Sequence, residues 1–203
     1  MTTDQAPGAV RPTERGAATR TVLLDAARIV FTSRGYAQTG ITDIVAQAGA
    51  SVGSLYHHFS GKADLYESLY EELDSEHAER ARAAARRARE AGVSDPMQLF
   101  LAGARGYLDV CVERRDLARL FARGDGPPGF DLVWRQRVAS WVGKNTEFFA
   151  RSGEPLDSAV AIVLTGAMML AVAEMAAAAD ADLARRIADS VIKVMSRLEN
   201  ATS

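Results

Sequence analysis

Cysteine is almost missing from this chain of 203 residues: Cys111 is the single one, so neither an intrachain disulfide nor an all-cysteine metal site can form. A reducing compartment is the simpler setting, and Cys111, inside an apolar helical pattern, reads as inert core packing. Proline is scarce as well, with six residues, and no segment alternates polar and apolar side chains long enough to make a strand. A large charge of one sign is absent, since 24 lysines and arginines face 26 acids for a net charge of -2, which excludes cationic tails and highly charged disordered classes. The first twelve residues lack the charged start and apolar run of a secretory signal, and read as a disordered leader. The longest apolar stretch, 159–173, is broken by Thr165 and Gly166 and followed by Glu174, short of the ~20 residues that a bilayer crossing needs. The expectation is a soluble cytoplasmic protein with no membrane partner.

What remains is a chain with 48% hydrophobic residues, in which alanine, leucine, arginine and glutamate recur at helical spacings. This predicts an all-α fold of about nine helices. Leu24, Ala27 and Phe31 share a face of a first helix stopped at Gly35, and Ile41, Ile44, Val45 and Ala48 define a short second one closed by Gly49. A third runs from about Ser51, a good N-cap, to Phe59. Ser60 can cap a long fourth helix, striped by Tyr66, Leu69, Tyr70, Leu73 and His77 and ending near Gly92. Asp95 and Pro96 open a fifth, with Met97, Leu101, Ala104, Leu108 and Cys111 inward, and Leu117 to Arg123 form a shorter one.

After the break at GDGPPG, residues 124–129, three more helices are expected: about Asp131 to Arg151, Pro155 to Ala179, and Asp182 to Asn200. Trp134, Val138, Trp141, Asn145 and Phe148 share one side of the first, and Leu183, Ile187, Val191, Val194 and Leu198 stripe the last. The helix between them is apolar nearly all round, so it must be covered on both sides, and self-association would supply the second cover.

The segment GITDIVAQAGASVGSLYHHFSGKADL, residues 40–65, encodes two short helices joined by a glycine-containing turn, the requirement of a helix-turn-helix. Helices this short are not stable alone, so the first helix and the start of the fourth must complete their core through Ile44, Val45, Leu55 and Phe59. The second helix of such a pair carries its N-terminal residues into the major groove. Ser51 and Ser54 offer hydroxyls there, Gly53 permits close approach, and Tyr56, His57 and His58 bring rings with polar tips. Lys62, near the fourth helix's start, can pair with a phosphate. Residues 1–62 carry six lysines and arginines against four acids while the remainder is acidic, the right sign for a nucleic-acid-binding end.

In the run Gly35-Tyr36, Thr39, Ile44, Ala48-Gly49, Ser51, Gly53, Leu55-Tyr56, His58-Phe59, Lys62 and Leu65, the chain resembles the DNA-binding domain of TetR-family transcriptional regulators over roughly residues 19–66. The resemblance implies a homodimer paired through its last two helices, with a C-terminal domain that binds a small molecule. It implies that Tyr56, Lys62 and Thr42 hold phosphates, that Ser51, Val52, Gly53, Ser54 and His57 face base edges, and that His58 does either. Gly40 stands where the family usually has Thr or Ser, which weakens a cap by a few tenths of a kcal/mol. Val45 for a usual Ala, and Ala50 for a usual Val, conserve volume if the two side chains share one core.

Other features have blander readings. Adjacent His57 and His58 point ~100° apart on a helix with no third ligand nearby, which argues against a metal. GDGPPG follows a helix rather than a strand, and its prolines remove N–H donors, so it is a loop and not a dinucleotide cradle. The arginine-rich run 80–89 reads as a solvated helix face. Nothing resembles an activated serine, a carboxylate dyad or a phosphate-binding loop, so no enzyme and no cofactor are expected. Tyr107, Phe121, Trp141, Met168 and Met169 are core residues or, alternatively, the lining of a pocket for a largely apolar effector, while Glu174 is a charge in an ion pair or exposed at a bend or, alternatively, a polar anchor in that pocket. The expected division is a leader at 1–12, a helix-turn-helix domain at 13–62, and an effector-binding and dimerisation domain at 63–203. The function expected is a ligand-responsive regulator, most simply a repressor, bound as a homodimer to a pseudo-palindromic operator on double-stranded DNA. Its rivals are a small-molecule enzyme or carrier with a vestigial DNA-binding segment, and a non-specific DNA-compacting protein.

Overall fold

The computed structural model describes residues 12–151 and 158–198, of which 12–34, 41–48, 52–58, 62–90, 96–113, 115–122, 130–151, 158–177 and 181–198 are helical. These are, in order, α1 (Pro12–Arg34), α2 (Ile41–Ala48), α3 (Val52–His58), α4 (Lys62–Glu90), α5 (Pro96–Glu113), α6 (Arg115–Ala122), α7 (Phe130–Arg151), α8 (Ser158–Ala177) and α9 (Ala181–Leu198). No strand occurs among the described residues. The expected leader, apart from Pro12, and the ends expected for the last two helices, at 155–157 and 199–200, lie outside them. The chain separates into two compact units, 1–69 and 70–203, with the division inside α4.

In the first unit, α1, α2, α3 and the first turns of α4 close over one small core. Leu24, Ala27, Phe31, Ile44, Leu55, Phe59, Leu65 and Tyr66 are all buried there. The turn into α2 is held by Thr39, a buried residue whose hydroxyl donates to the Gly35 carbonyl at 2.7 Å. Gly40 caps α2 without a side chain. The reciprocal half of a capping box survives, because the Asp43 carboxylate accepts from the Gly40 N–H at 2.8 Å. The two short helices join through Gly49, at φ 61° and ψ 31°, left-handed backbone that a side chain would strain. Ser51 then starts α3 by accepting the Ser54 N–H at 3.1 Å.

The second unit is built around α5 and α8. Asp95 caps α5 by accepting from the Gln98 N–H at 2.7 Å, with Pro96 in its first turn. Leu101, Ala104, Tyr107, Leu108 and Cys111 of α5 join Leu164, Met168, Ala171 and Met175 of α8 in one buried cluster. The carbonyls left over at the end of α8 are satisfied by α6: Arg119 donates to the Ala176 carbonyl at 2.7 Å and to that of Ala178 at 2.6 Å, and Arg115 also donates to Ala178.

Along α9 the fully buried positions are Ala184, Ala188 and Met195, beside the apolar stripe, of which Leu183, Ile187 and Val191 pack half-buried against the core and Val194 is 59% exposed. Small side chains bring the helix close to the core, which leaves the larger ones to one side. Helix α8 has a 19-residue window, Ala159–Ala177, long and apolar enough to cross a membrane, although the apolar stretch appeared too short in sequence. In this fold α8 packs on α5, α6, α7 and α9, and buries Ala161, Leu164, Met168, Ala171 and Met175. Its opposite side is bare, with Ile162 58%, Val163 57% and Leu170 71% exposed.

Candidate nucleic-acid interface and effector cavities

Helix α3 is too short to bury much, and its seven residues divide sharply. Leu55 is fully buried, which fixes the rotation of the helix and turns its neighbours outward. Val52 is 41% and Tyr56 56% exposed; Thr42, Ser51, Gly53 and His57 are exposed too, and Ser54 and His58 are half-exposed. The residues of α2 and α3 expected at base edges and phosphates are therefore all exposed or half-exposed around the buried Leu55. His57 and His58 touch edge to face, with ring centroids 4.9 Å apart, and no cluster of three potential metal ligands exists among the described residues. Ser51 uses one of its two oxygen lone pairs on the cap, and its O–H remains to donate outward.

Lys62 departs from a simple solvated cation. Its Nζ donates to the Tyr36 carbonyl at 2.9 Å and lies 4.2 Å from the centroid of the Tyr36 ring. That ring stacks on Phe31 at 5.8 Å and meets Tyr66 edge-on at 5.1 Å, so the ammonium is anchored to the core at the edge of the α3 face. An ammonium has three donors, so this anchorage leaves two for a phosphate. A second cation, Arg20 of α1, lies 4.8 Å over the Phe59 ring and donates to Ser68 at 3.4 Å. Arg34 pairs with Asp43 at 2.8 Å, and the carboxyl of Asp43 is held below its usual range, chiefly by the Gly40 N–H it accepts.

Among the described residues of the second unit, two cavities are prominent. One, of about 380 Å³, is bounded by Ala81, Ala85 and three arginines of α4, by Leu99, Phe100, Gly103 and Tyr107 of α5, by Trp141, Asn145 and Phe148 of α7, and by Thr165, Met168 and Met169 of α8. Its walls are apolar apart from the arginines and a polar pair in which Asn145 donates to the Thr165 hydroxyl at 3.1 Å. The other, of about 530 Å³, is walled by Tyr70, Asp74, His77, Phe121, Trp134 and the 124–129 loop. Tyr107 and Met169 belong to both. Of the six residues expected to line a pocket, Trp141 and Met168 thus border the first cavity, Phe121 the second, and Tyr107 and Met169 both. Glu174 borders neither and stands exposed. An apolar helix with one bare side lets its single charge reach water, so Glu174 needs no buried partner.

The arginine run is solvated and 124–129 is a loop, as the sequence reads; what sequence reasoning did not show is that three of the arginines border the first cavity and the loop the second. The signal available for the arginines was their spacing at 82, 86 and 89, one face of a helix, but nothing in the sequence says what that face borders.

Polar chemistry inside the second unit is quiet. The His77 ring lies 4.2 Å from that of Tyr107, and its Nε2 is 3.5 Å from the Cys111 sulfur. Burial pushes the His77 pKa down to about 4 and that of Cys111 up to about 12, so both are neutral near pH 7. Tyr70 is raised to about 12, again mainly by burial. Asp74 is balanced by Arg137 at 3.0 Å and by the Trp141 indole N–H at 3.2 Å.

Comparison with known proteins points the same way as the geometry. Residues 23–69 match the family described as bacterial regulatory proteins, tetR family. The regulator TtgR of Pseudomonas putida is 38% identical over 73 residues, 36% of this chain and 35% of that protein. An HTH-type transcriptional repressor of Mycobacterium tuberculosis is 32% identical over 135 residues, covering 66% of each chain. The crystal structure of a TetR-family transcriptional regulator from Pectobacterium atrosepticum is similar across 93% of this chain and 95% of its own, with a TM-score of 0.62 and 27% identity. The alignment with TtgR spans about a third of that relative's length. Through residues 23–69, which fold as the buried-Leu55 helix pair described above, the chain belongs to the tetR family of bacterial regulatory proteins.

Proposed function

We propose that the chain is a ligand-responsive transcriptional regulator, most simply a repressor, that binds a pseudo-palindromic operator as a homodimer. The observation that carries this reading is the open α3 face, where Leu55 is buried and Val52, Gly53, Tyr56 and His57 point away from the core. Ser51, Val52, Gly53, Ser54 and His57 face base edges in this reading, Tyr56, Lys62 and Thr42 hold phosphates, and His58 is available to either.

The bare side of α8 supports pairing. Ile162, Val163 and Leu170 project from it and Val194 projects from α9, which is an apolar surface that a second copy would cover through the same two helices. The first cavity, bounded by Tyr107, Trp141, Met168 and Met169, supports binding of a small molecule; Phe121 belongs to the neighbouring cavity, and Glu174 is no part of the proposal. Helix α4 supplies Lys62 at its start and cavity wall from Ala81 onward in one unbroken run. An effector releases DNA only by binding better to the arrangement of the dimer that fits the operator poorly. No chemical step is needed.

Selection of bound sites from random duplex DNA by the purified full chain tests the reading. Enrichment of an inverted repeat is expected, and recovery of sequences no different from the input removes it.

A further inference from the structure

We infer that the first cavity takes an amphipathic anion: an apolar body lodged between α5, α7 and α8, with a single anionic headgroup held at its mouth by Arg82, Arg86 and Arg89. This inference rests on the proposed ligand response and specifies the chemistry of the ligand.

The three guanidinium groups lie at i, i+4 and i+7 on α4, one face of the helix, and all three border the cavity while remaining exposed to water. Among the described residues none of the three makes an ion pair, and no aspartate or glutamate borders this cavity. The contrast lies on the same helix. Arg80 is held by Glu113 through two bonds of 3.0 and 2.8 Å, on the side away from the cavity lining. Asp74 of α4 borders the other cavity and is already balanced by Arg137 and Trp141.

Three like charges at helical spacing repel one another, and an anion bridging them relieves that repulsion. Behind them the cavity offers Phe100, Phe148, Met168 and Met169 but few polar groups, so a small hydrophilic anion would leave those walls uncovered. A neutral apolar ligand would leave the arginines unused, and a cationic one would be repelled. Apolar burial supplies the affinity, and the guanidinium cluster supplies the sign. A volume of about 380 Å³ is within the ordinary range for a small-molecule site.

The test uses probes of one chain length that differ only at the head: decanoate, 1-decanol and decyltrimethylammonium. Trp141 borders this cavity and Trp134 the other, and these are the two tryptophans of the chain, so a Trp134→Phe background confines the fluorescence signal to the first cavity. Decanoate is expected to bind at least tenfold tighter than 1-decanol in low salt, with the cation weakest and the advantage shrinking as salt rises. Adding Arg82→Gln, Arg86→Gln and Arg89→Gln together should bring decanoate to the level of 1-decanol while 1-decanol binding stays unchanged, which also shows that the variant is folded. Equal affinity for acid and alcohol, a preference that survives the triple substitution, or binding of none of the three probes overturns the assignment. Operator selection is scored separately on the same preparation. A chain that prefers decanoate and selects no operator keeps the ligand assignment and loses the regulator reading, and the converse result does the reverse.

Discussion

Gly106 of α5 passes so close to Arg80 of α4 that a Cβ built on it would stand 2.8 Å from the Arg80 carbonyl oxygen and 2.9 Å from the Ala84 Cβ. One turn away, the same construction at Gly103 meets the Ala81 carbonyl at 3.4 Å. The alanine-rich stretch of α4 and the two glycines of α5 thus form a close helix crossing, and the wall of the first cavity is built on it.

Gly106→Ala should therefore destabilise the chain by about 1–3 kcal/mol, because the obstacle is backbone and cannot swing aside. Gly143, in the exposed interior of α7, meets nothing within 4 Å, so Gly143→Ala should stabilise by about 0.5–1 kcal/mol through helix propensity alone. Thermal unfolding of the two variants reads the difference as shifts of opposite sign. A Gly106→Ala protein as stable as the parent would mean that the crossing is looser than described.

The buried imidazole of His77 makes stability depend on pH. Its folded pKa of about 4 lies below the unfolded value near 6.5. Above pH 6.5 the ring is neutral in both states and its burial carries no penalty. As pH falls from 6.5 towards 4, the unfolded chain takes up a proton that the folded chain refuses, so stability declines by up to about 3 kcal/mol. Urea titrations between pH 7 and 4 should show a steeper loss for the parent than for His77→Phe. Parallel pH profiles would place the proton elsewhere.

Lys62→Ala should weaken binding to operator and non-operator DNA alike and lower the salt slope by about 1, as expected for one lost phosphate contact. Because Lys62 also holds the Tyr36 carbonyl, a loss of stability should accompany it. Lost stability with an unchanged salt slope would assign the ammonium to the fold alone.

His57→Ala should change which bases are enriched in selection from random duplexes, with little effect on the salt slope. Identical enriched sequences for variant and parent would take His57 out of base readout.

Leu170, 71% exposed on the bare side of α8, should be central to pairing. Leu170→Glu introduces a charge that a covered apolar surface cannot accept, so sedimentation velocity should show a fall from dimer to monomer. A dimer that tolerates this change is paired through some other surface.

The helix-turn-helix was legible because its constraints are local. A hydroxyl cap at Ser51, a left-handed glycine at 49 and one inward leucine at 55 fix the rotation of α3 whatever lies further along the chain. The turn glycines, the Asp95-Pro96 start and the apolar period of α5 depend likewise on neighbours within a few positions, and their helices are where the pattern predicts. Gly40 was legible only as a weakened cap, since the Asp43 carboxylate that meets its N–H had to be seen in place.

What the amino-acid order determined by itself, then, was helix content, helix ends and the identity of the DNA-binding motif, all set by backbone preference and by side chains three or four residues apart. Tertiary structure decided which faces meet. Ala184, Ala188 and Met195, beside the Leu/Ile/Val stripe, are the fully buried positions of α9, glycines and alanines bring α5 against α4, and three arginines of a solvated run border a cavity. Those outcomes depend on the volume left between helices far apart in sequence, a quantity that periodicity along one helix does not contain.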